Sequence, residues 1–273
     1  MRRQDDLQDM TGNTLIDRGE MPSLLEPLLP AEESPHWAPL ATKVRQLIDA
    51  SSALDKSLTL LERETRTAIE TRVFATEIWA SWEIEGETAS GADIAAARSA
   101  LDGFRDAPWP DPECLVKAHS VLFPKHRGLR SADVSVGRHV APSPGALPRL
   151  LAYLERGYGR PGRISQVIGV AAGHHRLSWC HPFLDGNGRI ARLITCAGLR
   201  RVLPGARAWS LSDGLLARRE DYLRLMALAD EPRRGDRDGR GHLSEARLAS
   251  FAGFMFEIAE DRITAAGQAL TCG

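Results

Sequence analysis

From Leu40 to Trp82 the chain carries neither proline nor glycine, and this unbroken stretch restricts the fold more than any other feature of the sequence. Within it Leu54, Leu58, Leu61, Ala68, Ala75 and Trp79 recur at helical spacing. One long helix or a helical hairpin satisfies the pattern, and the sequence leaves the two open. On the N-terminal side, Pro22, Pro27, Pro30 and Pro35 break any helix, which predicts a flexible arm over residues 1–35.

Beyond Trp82 the signals alternate between helices and breaks. After the glycine and serine break at Gly86–Gly91, the segment DIAAARSALDGF predicts a short helix ending at Gly103, and APWPDPE marks a boundary. CLVKAHSVLF predicts a helix. GLRSADVSVGRHVAPSP predicts the one β-hairpin, since Val134 and Val136 alternate with polar neighbours. Two helices follow, PGALPRLLAYLERG and GRISQVIGVAAGHHRLSW, the second with Ile164, Val167, Ile168, Ala171 and His175 on one face. Pro182 disfavours helical geometry at His181, so an extended backbone and then a loop are expected there. Helical spacing resumes with Ile190, Leu193, Ile194 and Ala197, and the remainder reads as two more helices split by the charged loop DEPRRGDRDGRG. The expected fold class is all-α with one small hairpin.

Composition removes several functional classes. The chain has 273 residues, 43% hydrophobic and 26% charged, as an ordinary globular protein does. Its 35 Lys and Arg against 36 Asp and Glu leave a net charge of -1, so no global basic field holds a nucleic acid and any anion site must be local. No stretch reaches the roughly 18 apolar residues of a membrane span. Asp5, Asp6 and Asp9 interrupt the place of a signal peptide's apolar region, so a cytoplasmic protein is expected. Cys114, Cys180, Cys196 and Cys272 are scattered without metal-site spacing, and Cys196, among apolar residues in LITCAGL, reads as a core thiol.

Three patterns carry little. GYGRPG, residues 157–162, follows a helix rather than a strand and reads as a helix stop instead of a dinucleotide loop. DRDGRGHLSEAR, from Asp236, begins like a calcium loop but places Arg240 and Arg247 where oxygen ligands are required, so a solvated loop is expected. His174, His175 and His181 lack the companion ligands of a metal site.

The informative segment is HPFLDGNGRIAR, residues 181–192. Gly186 and Gly188 flank Asn187 at the start of a helix, where backbone N–H groups can converge on an anion. Asp185 and Asn187 also suit a plain turn with a helix cap. Arg189 and Arg192 argue against that plainer reading, because cations in a first helical turn cost about 0.3–1 kcal/mol each unless an anion is present. At i and i+3 both can lean toward a single ligand. His181 offers an imidazole able to take a proton near neutral pH, and Asp185 a hard oxygen ligand for Mg²⁺. Phe183 reads as a core anchor that fixes the loop.

HPFLDGNGRIAR resembles the Fic signature H-x-F-x-(D/E)-G-N-G-R-x-x-R at every specified position, and the similarity extends over roughly residues 110–260. The resemblance implies a Fic-type helical bundle with a β-hairpin flap and an N-terminal helical extension. Upstream, SWEIEG at residues 81–86 is similar to the inhibitory motif (S/T)-x-x-x-E-(G/N), with Ser81 and Glu85 one turn apart on one face and Gly86 as a natural stop. On this reading residues 36–105 form the helical region that carries the inhibitory helix. Residues 106–265 then form the catalytic core, and 266–273 a tail.

What the resemblance implies chemically is transfer of AMP from Mg²⁺–ATP to a Ser, Thr or Tyr hydroxyl of a target protein. His181 would be the general base, and Asp185 would hold Mg²⁺. Gly186, Asn187 and Gly188 would cradle the phosphates, with Arg189 on the β-phosphate. Arg192 would hold the γ-phosphate in the active form and Glu85 in the inhibited form. Tyr222 borders the adenosine or is simply a packed helix residue. Removal of AMP by the same residues, and a silent nucleotide-sensing protein, are the alternatives. The retained His181 argues against the silent one, because a sensor needs no base. No nucleic acid or membrane is an expected partner; the target, the nucleotide donor and the oligomeric state, a homodimer included, stay open at this point.

Overall fold

The computed structural model describes residues 15–104, 112–159 and 162–272. In chain order its elements are α1 (Trp37–Thr59), α2 (Arg63–Ile84), α3 (Gly91–Asp102), α4 (Pro112–Leu122), β1 (Ser135–Val136), β2 (His139–Val140), α5 (Leu147–Tyr158), α6 (Arg163–Cys180), α7 (Asn187–Val202), α8 (Leu211–Ala217), α9 (Arg219–Ala229) and α10 (Glu245–Cys272). The expected class, all-α with one hairpin, holds among these residues. The boundary APWPDPE falls mostly outside them, as do residues 160 and 161 of GYGRPG, although Gly159 does end α5.

α6 is buried without interruption from Val167 to Leu177. A helix buried all round sits at the centre of its bundle, and α7, α5, α10 and α1 pack around it. Two apolar clusters divide the interior. One joins α2, α4, α5 and α7 through residues such as Phe74, Leu115, Leu150, Phe183 and Ile194. The other joins α1, α6, α8 and α10 through Val44, Val167, Leu215 and Phe251. Burial of each such side chain contributes about 1.5–3 kcal/mol. Among the described residues no helix is long and apolar enough to cross a membrane.

The stretch from Leu40 to Trp82 contains two helices rather than one, broken at Leu60–Glu62, and their principal packing differs: α1 lies on α10 and α2 on α8. The break resets the helical register. In α2 the buried side is Phe74, Glu77, Ile78 and Ser81, while Trp79, expected on the apolar face, is 44% exposed. Three helices, not two, follow α7, because Arg218 (φ -120°, ψ 39°) interrupts the segment between α8 and α9.

Residues 15–35 are not a loose arm. Gly145 N–H donates to the Ile16 carbonyl at 2.8 Å, the Arg149 guanidinium pairs with Asp17, and Leu25 and Leu28 are buried. The loop after α9 is likewise fixed: the Asp238 carboxylate accepts from Arg234 N–H, Ser244 Oγ and Ala246 N–H at 2.8–2.9 Å and caps α10. α10 then runs to Cys272. Cys196 is buried as expected, its thiol pushed up to about 12 by that burial.

Candidate active site

α2 delivers the first part of the site. Its middle is fastened by the buried Glu77 carboxylate, which accepts from Ser210 Oγ (2.7 Å) and Ser212 N–H (3.0 Å) at the start of α8. Its end turns in a left-handed glycine stop: Gly86 has φ +80°, Gly86 N–H donates to Glu83 O and Glu87 N–H to Trp82 O. Glu85 therefore caps the helix, and the chain folds back so that Glu87 lies beside it.

The second part is the turn and loop between α6 and α7. His181 is not extended as expected; it is left-handed (φ 46°, ψ 59°) and is the one non-glycine residue with positive φ among the described residues. Its N–H closes the end of α6 on Leu177 O and Ser178 O at 3.2 Å. Helix capping thus outweighs the preference that Pro182 imposes. The loop is locked by Asn187, whose Oδ1 accepts from Phe183 N–H (3.0 Å) and whose Nδ2 donates to Phe183 O (2.8 Å). Phe183 is fully buried and stacks on His119 at 3.7 Å between centroids. α7 has no side-chain cap, so the N–H groups of Asn187, Gly188 and Arg189 lack intrahelical acceptors and form an anion-attracting end.

Arg192, 1% exposed, joins the two parts. Its Nε donates to Ser81 Oγ at 2.8 Å, and its Nη2 donates to Ser81 O at 2.7 Å and Glu85 Oε1 at 2.6 Å. A Cβ on Gly188 would lie 2.3 Å from Glu85 Oε1, so only glycine leaves room for that carboxylate, or for another anion in its place. Burial works against the Arg192 charge, but Tyr222 and Glu85 more than offset it and the guanidinium is held above its ordinary pKa.

Arg189 does not lean toward the same ligand as Arg192. Its guanidinium lies over the Phe123 ring at 4.5 Å and donates to Glu87 Oε2 at 2.5 Å and Asp185 Oδ1 at 3.1 Å. Arg189 and Arg192, at the start of α7, are each held by a different acid from the turn that follows Ile84.

A cavity of about 1050 Å³ opens between the hairpin, the end of α6, the start of α7 and α9. His181, Asn187, Gly188, Arg192, Glu85 and Tyr222 line it, whereas Asp185, Gly186 and Arg189 do not. Burial first, then the charge of Arg130 and the neighbouring His139, lowers the His181 pKa to about 4. The imidazole is consequently a neutral, weak base at physiological pH, more reluctant than the sequence suggested. The Tyr222 hydroxyl bonds His174 Nε2 at 2.8 Å, and His174 Nδ1 meets Thr195 Oγ1 at 2.7 Å, so that histidine is occupied within the core.

Sequence reasoning missed Glu87, His119, Arg130 and His139. Glu87 lies two residues beyond Glu85 and a turn rule could have flagged it. The other three come from α4, the loop before the hairpin and β2, and nothing in their spacing ties them to residues 181–188.

Residues 109–199 match the model of the Fic/DOC family. The chain is 42% identical over 76 residues to the Protein adenylyltransferase Fic of Drosophila ananassae and 39% identical over 76 to that of Drosophila melanogaster. Each match covers 27% of this chain and 15% of the curated relative. Among solved structures, a Fic family protein from Desulfovibrio desulfuricans G20 superposes with a TM-score of 0.64 at 21% identity, over 88% of this chain and 77% of that one. Fic-1 (residues 134–508) from C. elegans gives 0.61 at 17% identity, over 86% and 76%. These likenesses establish a shared fold. Residues 109–199 of this chain thus form a Fic/DOC family domain, and the loop and helix start at 181–192 lie within it.

Proposed function

We propose that this chain is a protein adenylyltransferase, acting in the cytoplasm, that moves AMP from ATP to a Ser, Thr or Tyr hydroxyl of a target protein and is held back by Glu85. The observation that carries the reading is the contact of Arg192 with Ser81 and Glu85 at the edge of a cavity that also contains His181. An arginine fork accepts a carboxylate or a phosphate equally well. Glu85 therefore occupies the place a γ-phosphate would take.

In the active form the N–H groups at the start of α7 hold the phosphate chain and Arg192 clamps its end. A ring nitrogen of His181 takes the proton of the target hydroxyl; its oxygen bonds to the α-phosphorus as the bond to the β-phosphate oxygen breaks and pyrophosphate leaves. Arg189 steadies the β-phosphate once it exchanges Glu87 for it, and Tyr222 forms part of the cavity wall beside the nucleoside. Mg²⁺ suits Asp185, whose half-exposed carboxylate accepts from Gly186 N–H and Arg189 on Oδ1, leaving Oδ2 for a hard cation. When bound, the ion would offset charge on the phosphates.

A second reading, removal of AMP from a modified protein, is favoured by the 38% exposure of the Glu85 carboxylate beside His181, where it can hold a water. Incubation with α-labelled and γ-labelled ATP tests the proposal. Label from the α position alone should reach protein, and more of it with Glu85→Gly. Protein labelled from the γ position would make the chain a kinase and end the adenylyl reading, and loss of AMP removal in Glu85→Gly would favour the second.

A further inference from the structure

The loop between α4 and β1 places a single arginine beneath the His181 turn. Arg130 is 2% exposed. Its Nε donates to His181 O at 2.7 Å, its Nη1 to Ala132 O at 2.8 Å, and its Nη2 to Pro142 O and, at 3.4 Å, to Cys180 O. Its backbone N–H donates to Pro182 O at 2.9 Å. The nearest acid in sequence, Asp133, is paired instead with Arg18 at 2.8 Å.

An arginine does not shed its proton when buried, and its donors form a rigid planar fork. A buried charge without a carboxylate has to be satisfied by dipoles, here backbone carbonyls. Those carbonyls come from two places. Ala132 and Pro142 flank the β1–β2 hairpin, while Cys180, His181 and Pro182 form the turn that carries the imidazole. His139 of β2 makes a second tie, its Nε2 donating to Trp179 O at 2.7 Å. The turn itself is strained twice over, because a β-carbon crowds the left-handed region and a following proline restricts it further. Rotation of His181 to the extended conformation that its sequence favours would carry its carbonyl off Arg130.

We propose that Arg130 is a positioning residue for the reaction, one that holds His181 in its left-handed turn, ties that turn to the hairpin and so keeps the imidazole facing the cavity. The activity part of this inference rests on the adenylyl-transfer reading; the geometric part does not. Arg130 also acts on the imidazole through its charge. The other titratable groups that bear on that ring are His139 of β2 and Glu85 at the end of α2.

The test compares Arg130→Lys and Arg130→Met with the parent, each checked for folding by thermal melting, with two readouts. In the α-labelled ATP assay, kcat should fall about 100-fold in both variants while KM for ATP stays within about twofold, because misplacing a reacting group by an ångström costs that much and the phosphate-binding N–H groups are untouched. In an NMR titration of the unliganded protein, the His181 ring should titrate higher in Arg130→Met, which removes the positive neighbour, and close to the parent in Arg130→Lys, which keeps it. A merely structural arginine would lower stability without this split. The proposal is overturned by a folded variant with parental kcat, by a change confined to KM, by a His181 titration unmoved in Arg130→Met, or by failure of both variants to fold. If the parent itself transfers no label, the adenylyl reading fails, and the NMR comparison alone still decides the role of Arg130.

Discussion

On the proposed reading, replacing Glu85 by glycine removes the acid that competes with phosphate for Arg192, and the observed contact sets the size of the effect. The carboxylate accepts one 2.6 Å bond from a guanidinium that is 1% exposed. Hydrogen bonds to charged groups contribute about 1.5–3 kcal/mol. Because the Glu85 side chain keeps 38% of its surface in solvent, the lower part of that range applies, about 1.5–2 kcal/mol after screening. Removing that competition should raise AMP transfer at saturating ATP about 10- to 30-fold. Glycine at this position, the cap after Ile84, adds no helix-interior penalty. The variant leaves Arg192 without a carboxylate partner, so the unliganded protein should melt lower and gain more from ATP than the parent does. Transfer is read as label incorporated from α-labelled ATP, and the melting by calorimetry with and without ATP. An unchanged rate in a folded variant, together with an unchanged ATP-induced shift in melting, would refute the competition between Glu85 and phosphate.

Four further outcomes follow from the same geometry. His181→Ala should cut transfer by about 10²–10⁴-fold, the usual contribution of a general base, while ATP binding by calorimetry stays near the parental value. Asp185→Ala should need a higher Mg²⁺ concentration for half-maximal rate, and a parent equally active in excess chelator would remove the ion from the mechanism. Glu87→Gln should raise transfer by about fivefold at most, since its side chain is 53% exposed and such pairs contribute about 0–1 kcal/mol; an effect larger than that of Glu85→Gly would reverse the ranking of the two acids. Stability should fall with acid because burial, with the charge of Arg192 adding, pushes His174 down to about 3. The unfolded chain takes up that proton below about 6.5 and the folded one does not, so the loss begins below that pH, reaches about 2 kcal/mol at pH 5 and continues toward pH 3. Urea unfolding of the parent and His174→Gln at pH 7 and 5 measures it.

Local chemistry made the helices legible. Gly103 ends α3 and Gly86 ends α2 because a left-handed or terminal position asks for glycine whatever surrounds it. The apolar face of α5, with Leu147, Leu150, Leu151 and Leu154 all buried, is equally local. What the pattern could not show was which register applies after a break without proline or glycine. Leu60–Glu62 is such a break, and the spacing extended across it placed Trp79 in the core, whereas tertiary packing on α8 selected Glu77 and Ser81. The fixed loop around Asp238 and the strap at residues 15–35 were unreadable for the same reason. Their order comes from partners far along the chain, such as Arg149 for Asp17.

The site divides along the same line. Residues 181–192 lie on one turn and one helix start, so their shared anion-binding character follows from glycine spacing and the helix end alone. Pairing Glu85 with Arg192 crosses 107 positions, and only the fold decides that Glu87 meets Arg189 rather than solvent. The arrangement couples the two acids mechanically. Both project from a single glycine turn after Ile84, and that turn sits on a helix fastened at Glu77 and, through Arg219 Nε, at the Ile84 carbonyl at 2.8 Å. Freeing Arg192 by moving the backbone of Glu85 would drag Glu87 from Arg189, whereas a rotation of the Glu85 side chain alone would not. A phosphate chain that displaces only the first acid can therefore bind with Arg189 still paired, and one that needs both arginines has to shift the whole turn. Trp82 fluorescence distinguishes the two, since its ring lies 5.5 Å from the Arg189 guanidinium and one residue in the helix-stop bond. With the other tryptophans replaced by phenylalanine, a change in Trp82 emission on adding ATP would place the movement in the turn; ATP binding with no change in that emission would confine it to the Glu85 side chain.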